Sequence, residues 1–185
     1  MKKRLATFIF TGIMLTGCHK AIDTQISNPK NKVSTLKSDV EKEFEDLTVQ
    51  ANQGDAEAQF NIGNAYYDGK GVSQDYLKAI EWYTKSANQG YVPAQYKLGT
   101  IYNYGGKGAS QDDYQAAKWY LKAANQGDAR SQYNLGLKYL FGIGGIRKNT
   151  GIARKYFAKS CDNEYQLACN NLGIGSTKGQ KMNED

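Results

Sequence analysis

Histidine is almost missing from this chain: its 185 residues hold one, His19. A zinc site of paired Cys and His needs more than that. So does a Ser-His-Asp or Cys-His nucleophilic centre, and a single histidine near the N-terminus serves neither. Long apolar runs are missing too. The longest, Leu5 to Leu15, is too short to span a bilayer comfortably. Asp and Glu are scattered over turns and polar helix faces, so no carboxylate pair stands out as an acid–base couple. The formal charge is +6, and no run of Lys and Arg follows one helix face, which argues against a nucleic-acid footprint. Cysteine is limited to Cys18, Cys161 and Cys169, an odd count that requires an explanation.

What is present is repetition. Ala51-Asn52-Gln53-Gly54 recurs as Ala87-Asn88-Gln89-Gly90 and again as Ala124-Asn125-Gln126-Gly127, a period of 36–37 residues. Self-similarity at this period means stacked supersecondary units, each of which buries its apolar face only against a neighbour. Every copy reads as two antiparallel helices. In the first, Asp55 suits a helix N-cap, and Ala58, Ile62, Ala65 and Tyr66 follow at helical spacing. Gly69-Lys70-Gly71 then stops that helix, Asp75 caps a second, and Tyr76, Ala79, Ile80, Tyr83 and Ala87 form its buried face. The second copy repeats the pattern with Ala94, Leu98, Gly99 and Tyr102, then Ala116, Trp119, Tyr120 and Ala124. The third has Leu135, Gly136 and Tyr139, then Ala153, Tyr156, Phe157 and Cys161. The second copy carries one extra residue in its inter-helix turn, Tyr104-Gly105-Gly106-Lys107-Gly108, where a length change is cheap. Gly63, Gly99, Gly136 and Gly173 occupy one equivalent position. A helical Gly costs about 1 kcal/mol relative to Ala, so its recurrence predicts close approach of another helix.

This pattern, Ala-x-x-x-(Leu/Ile)-Gly-x-x-Tyr followed by Asp, Ala, Trp-Tyr and Ala-x-x-Gly, resembles the Sel-1-like repeat, a relative of the tetratricopeptide repeat. The resemblance covers about two-thirds of the chain. It implies an all-α fold, a right-handed α/α solenoid, without an enzymatic site, cofactor, metal or small-molecule substrate, that binds a protein partner. The implied domains are a capping helix over residues 38–53, a solenoid of three full copies and a partial fourth over 54–175, and a disordered tail over 176–185. By the same resemblance the first helix of each repeat lines a concave face. Phe60, Tyr96 and Tyr133 would form an aromatic ladder there, with Asn64, Tyr67, Thr100, Asn103 and Leu137 between the rings. Such rings serve either as binding hot spots or as packing between repeats.

The N-terminus carries an address. Lys2-Lys3-Arg4, the apolar stretch and Leu15-Thr16-Gly17-Cys18 resemble a lipoprotein signal peptide over residues 1–17 with its lipobox. That implies cleavage before Cys18, lipidation of Cys18 and anchorage at the cell envelope. With His19 in place of an Asp, the periplasmic face of the outer membrane is the expected destination. Loss of the signal lowers the net charge to about +3. Residues 18–37, polar and containing Pro29, are expected to form a flexible tether. Once Cys18 is lipidated, Cys161 and Cys169 remain as a pair, eight residues apart at a helix-pair junction. Their spacing resembles the cysteine-rich branch of the Sel-1-like family, in which paired cysteines staple adjacent helices, and it implies a disulfide.

Two narrower functions follow from resemblance. Small Sel-1-like lipoproteins accompany secreted antibacterial phospholipase effectors, which implies an immunity protein. Some cysteine-rich relatives are described as β-lactamases or penicillin binders. Ser34-Thr35-Leu36-Lys37 matches the Ser-x-x-Lys string of that chemistry, but the accompanying Ser-Asp-Asn and Lys-Thr-Gly boxes are missing.

Overall fold

The computed structural model describes residues 29–172. The signal peptide, Cys18, His19 and the tether up to residue 28 lie outside the described residues, as do Gly173 and the tail. Eight helices occupy the described residues: α1 (Pro29–Asn52), α2 (Ala56–Asp68), α3 (Tyr76–Asn88), α4 (Val92–Tyr104), α5 (Asp113–Asn125), α6 (Ala129–Phe141), α7 (Thr150–Asp162) and α8 (Gln166–Asn171). No strand is present among them, and each helix packs against the helices before and after it in sequence. This is the all-helical stack that the repeats predict.

One expectation is corrected. The first helix begins at Pro29, so positions 29–37 of the expected tether are helical and the capping helix is longer than 38–53. Proline is favoured in the first turn of a helix, and neither Gly nor Pro interrupts the chain from there to Asn52. The Ser34 to Lys37 string therefore lies within α1.

Capping chemistry sets the frame. Asp55, Asp75, Asp112, Asp128 and Asn149 each accept a hydrogen bond from the backbone N–H three residues on, at 2.6–3.0 Å. Six of the helices, α2 to α7, then run for 13 residues each. The apolar faces read from the sequence are the buried ones. Ala58, Ile62, Ala79, Tyr83, Ala94, Leu98, Ala116, Tyr120, Leu135, Ala153 and Phe157 are all in the core. Phe44 and Leu47 of α1 close the first repeat against Ala51, Ala58 and Ile62.

The repeated helical glycines have a common physical cause. A Cβ at Gly63 would lie 2.6 Å from two carbons of the Tyr83 ring, and one at Gly99 would lie 2.6 Å from two carbons of Tyr120. A Cβ at Gly136 would meet Phe157 at 2.7 Å. In every repeat the second helix thus seats an aromatic ring on a bare patch of the first. A second set of glycines fits the turns onto the preceding repeat. A Cβ at Gly71 would lie 2.8 Å from the Val40 carbonyl, and one at Gly108 would lie 3.0 Å from Tyr76 Cβ.

Polar side chains fix the stacking register. Buried Gln59, Gln95 and Gln132 donate through Nε2 to the carbonyls of Ala51, Ala87 and Ala124, at 3.1, 3.0 and 3.2 Å. Each then accepts at its Oε1, from Gln89, Gln126 and Asn163 in turn, at 2.8, 2.9 and 3.0 Å. One amide therefore joins the preceding helix to the helix that follows it. Ser86 and Ser160 donate to the carbonyls of Ala56 and Ala129, both at 2.6 Å. The matching position of the second repeat is the buried Ala123. In the third repeat, Lys138 is buried and ion-paired to Asp113 of α5.

Two substitutions test this packing. Gly99→Ala gains about 1 kcal/mol of helix propensity but drives a methyl group into the buried Tyr120 ring, an overpacking that typically costs ~1–3 kcal/mol. The expected outcome in urea unfolding is a net loss of stability. Ser131 is fully buried, and among the described residues its hydroxyl has no hydrogen-bond partner; it stands at the position held by Ala58 and Ala94 in the other repeats. Ser131→Ala should raise stability by about 1 kcal/mol in the same experiment, because it removes an unsatisfied hydroxyl.

Candidate functional site

The first helices α2, α4 and α6 place the same side-chain positions on one face of the stack. Phe60, Tyr96 and Tyr133 are half-buried on it. Phe60 lies between Tyr83 of its own repeat and Tyr91 of the next, with both ring centroids 5.5 Å away. Tyr133 lies between Phe157 at 5.6 Å and Tyr165 at 5.3 Å. Tyr96 packs on Tyr120 at 6.1 Å. Asp128 stands there at the position of Tyr91 and Tyr165, and Arg130 fills the slot instead. Its guanidinium is 4.0 Å from the Tyr96 ring centroid and ion-paired to Asp128 at 3.2 Å. These rings pack against side chains of their own repeat and of the next.

Asn64, Thr100 and Leu137 serve the rings beneath them. The Tyr83 hydroxyl donates to Asn64 Oδ1 at 2.9 Å. Thr100 holds the same position in the second repeat, beside the Tyr120 phenol, and donates its own hydroxyl to the Tyr96 carbonyl at 3.0 Å. The third repeat has Phe157, which lacks a hydroxyl, and Leu137 packs in its cluster. Hydroxyl and polar partner disappear together, as a buried polar group requires. Burial pushes the Tyr83 and Tyr120 phenols well above the ordinary tyrosine range.

Tyr67 and Asn103, one repeat apart, are half-buried near the end of their helices. The Tyr67 ring meets Tyr76 at 5.3 Å. Lys97 Nζ lies 4.0 Å from the Tyr67 ring centroid and Lys107 Nζ lies 4.6 Å from it. Neither lysine, nor Arg130, stands out in the repeat pattern of the sequence. Their partners lie in other repeats at non-equivalent positions, which no periodic pattern reports.

Cys161 and Cys169 are joined by a disulfide with their Cα atoms 4.8 Å apart, tying the last turn of α7 to α8. Among the described residues no group of three or more His, Cys, Asp or Glu could hold a metal ion, and no helix is long and apolar enough to cross a membrane. The proposed lipidation residue, Cys18, lies outside the described residues.

The Tyr96 ring and the Leu98 side chain separate surface packing from core. Tyr96→Ala removes a half-buried ring, whereas Leu98 is fully enclosed. Leu98→Ala should cost ~2–5 kcal/mol and Tyr96→Ala less than half of that, as measured by thermal or urea melts of both variants.

The Sel1 repeat family model matches residues 56–91, 92–128 and 129–165. No curated protein matches the chain. Among solved structures, a protective antigen with an SLR fold from uropathogenic Escherichia coli strains is 35% identical, with a TM-score of 0.69. That match covers 72% of this chain but 28% of the antigen, so this chain spans only a fraction of it. A Sel1 repeat protein from Oxalobacter formigenes is 32% identical over 71% of this chain and 98% of its own, with a TM-score of 0.67. Cysteine rich protein B from Helicobacter pylori is 25% identical over 74% of this chain and 96% of its own, with a TM-score of 0.56. With three contiguous repeat matches laid over the helix pairs α2–α3, α4–α5 and α6–α7, the chain belongs to the Sel1 repeat family.

Proposed function

We propose that this protein is a non-enzymatic, lipid-anchored binding module that holds a protein partner at the bacterial cell envelope. The observation that carries the reading is the face built by α2, α4 and α6. It is an extended surface of half-buried rings, amides and cations, repeated from one helix pair to the next. Stacked repeats present surfaces of this kind to other macromolecules, and Tyr and Arg are the residue types that dominate such contacts. The address comes from Leu15-Thr16-Gly17-Cys18 and the basic, apolar segment before it. Acyl chains on Cys18 would hold the solenoid at the membrane surface, at about 0.8 kcal/mol per buried methylene. That a protein sharing this fold is a protective antigen agrees with an exported location.

A photo-crosslinking residue at Asn103 on this face should give discrete protein adducts in cells. One at Leu121, 40% exposed on a second helix, should give none. Adducts from Leu121 alone, or from neither position, would contradict the binding face. An effector with phospholipase activity in the adduct would identify the narrower immunity function, and penicillin labelling of the purified protein would favour the enzymatic one. Anchorage has its own test. Cys18→Ser should move the protein from the detergent phase to the aqueous phase on Triton X-114 partitioning, and retention in the detergent phase would contradict the lipid anchor.

A further inference from the structure

Two lysines from separate elements converge on one ring at the junction of the first and second repeats. Lys97 comes from the middle of α4, and Lys107 from the turn between α4 and α5. Their ammonium groups lie 4.0 and 4.6 Å from the centroid of Tyr67. Elsewhere on the stack, Lys85 over Trp82 and Lys122 over Trp119 are three-residue neighbours within one helix, dressing its own surface. Among the described residues Tyr67 is the ring with two cations within 5 Å, and both reach it from the next repeat.

The turn is built to deliver Lys107. It is one residue longer than its counterpart in the first repeat. Lys107 adopts a left-handed backbone (φ 48°) between Gly106 and Gly108, which also have positive φ. A side chain rarely occupies this region, and a residue held there by its surroundings marks a site where position matters. Gly108 seats the turn directly on Tyr76, whose ring is 5.7 Å from the Lys107 ammonium. The neighbouring Tyr67 side chain pushes the Lys107 pKa up.

Charge balance separates this junction from the next one. At the second junction Arg130 covers Tyr96 in the same manner, but Asp128 neutralises it. At the first junction neither lysine is in an ion pair among the described residues, and the exposed Asp68 acts on Lys107 only weakly, as the smallest of its influences. Two like charges held against one ring repel each other, and an anion that both can reach relieves that repulsion. The ring holds both cations in place in advance, which lowers the cost of ordering them.

We propose that Tyr67, Lys97 and Lys107 form a recognition site for an acidic segment of the protein partner, whose Glu or Asp carboxylates the two ammonium groups bind. The site rests on the binding-module reading above and names the chemical class of its partner.

The test is fluorescence anisotropy of labelled hexaglutamate with the full chain in detergent. Hexaglutamate should bind and hexaglutamine should not, and binding should weaken with added salt. Lys97→Gln and Lys107→Gly, the latter suited to the left-handed backbone, should together weaken binding by about tenfold or more. Lys155→Gln with Lys159→Gln, on α7, should leave it unchanged. Equal affinity for hexaglutamine, or unchanged affinity in the Lys97/Lys107 variant, would overturn the site. Displacement of the peptide by inorganic phosphate below about 1 mM would assign the site to phosphate, and would equally overturn it. Adducts from Asn103 that persist in the Lys97/Lys107 variant would reject this site and leave the binding module intact. Their absence in the unmodified protein would reject the module itself.

Discussion

An aromatic ring pressed onto a bare helix backbone sets the geometry of this protein. Gly63, Gly99 and Gly136 give up about 1 kcal/mol each of helix propensity so that Tyr83, Tyr120 and Phe157 can approach. That approach fixes the separation of the two helices in every repeat. With the separation fixed, the amides of Gln59, Gln95 and Gln132 can each reach both the helix before and the helix after. The register between repeats follows. A buried amide with both ends satisfied contributes modestly in net terms, but it penalises any slipped arrangement that would leave it unpaired.

The same constraint divides the labour on the face of the first helices. Rings at Phe60, Tyr96 and Tyr133 are committed to neighbours on both sides, Asn64 to the Tyr83 hydroxyl beneath it, and Thr100 to the Tyr96 carbonyl. What remains for recognition is the group of cations laid over rings from the next repeat. Arg130 is held by Asp128, while Lys97 and Lys107 keep their charge uncompensated by an ion pair among the described residues. Recognition in this account belongs to junctions between repeats. A ring from one repeat and a cation from the next form a unit only when the stack is assembled.

Much of the scaffold was legible in the sequence because the chain states it three times. The period located the helix pairs, the recurring glycines announced close approach, and the eight-residue spacing of Cys161 and Cys169 matched the disulfide found. The glutamine amides recur at the same period, yet Gln reads as surface in a polar sequence and only the contacts reveal its burial. The start of α1 was hidden for a similar reason. Its first turns are polar enough to pass for a tether, and a helix with a weak apolar stripe leaves little periodic signal. Lys97, Lys107 and Arg130 were out of reach for a different reason. Each meets a ring about 30–40 positions earlier at a non-equivalent place in the repeat, so neither motif nor periodicity links them.

The central claim, that recognition occurs on the first-helix face at the junctions between repeats, is tested most directly by hydrogen–deuterium exchange with and without a captured partner. The account predicts new protection over the end of α2 and over α4 with its following turn, residues 64–68 and 96–108, with the second helices α3 and α5 little changed. Protection confined to α3, α5 and α7, with those two segments exchanging as freely as before, would contradict it.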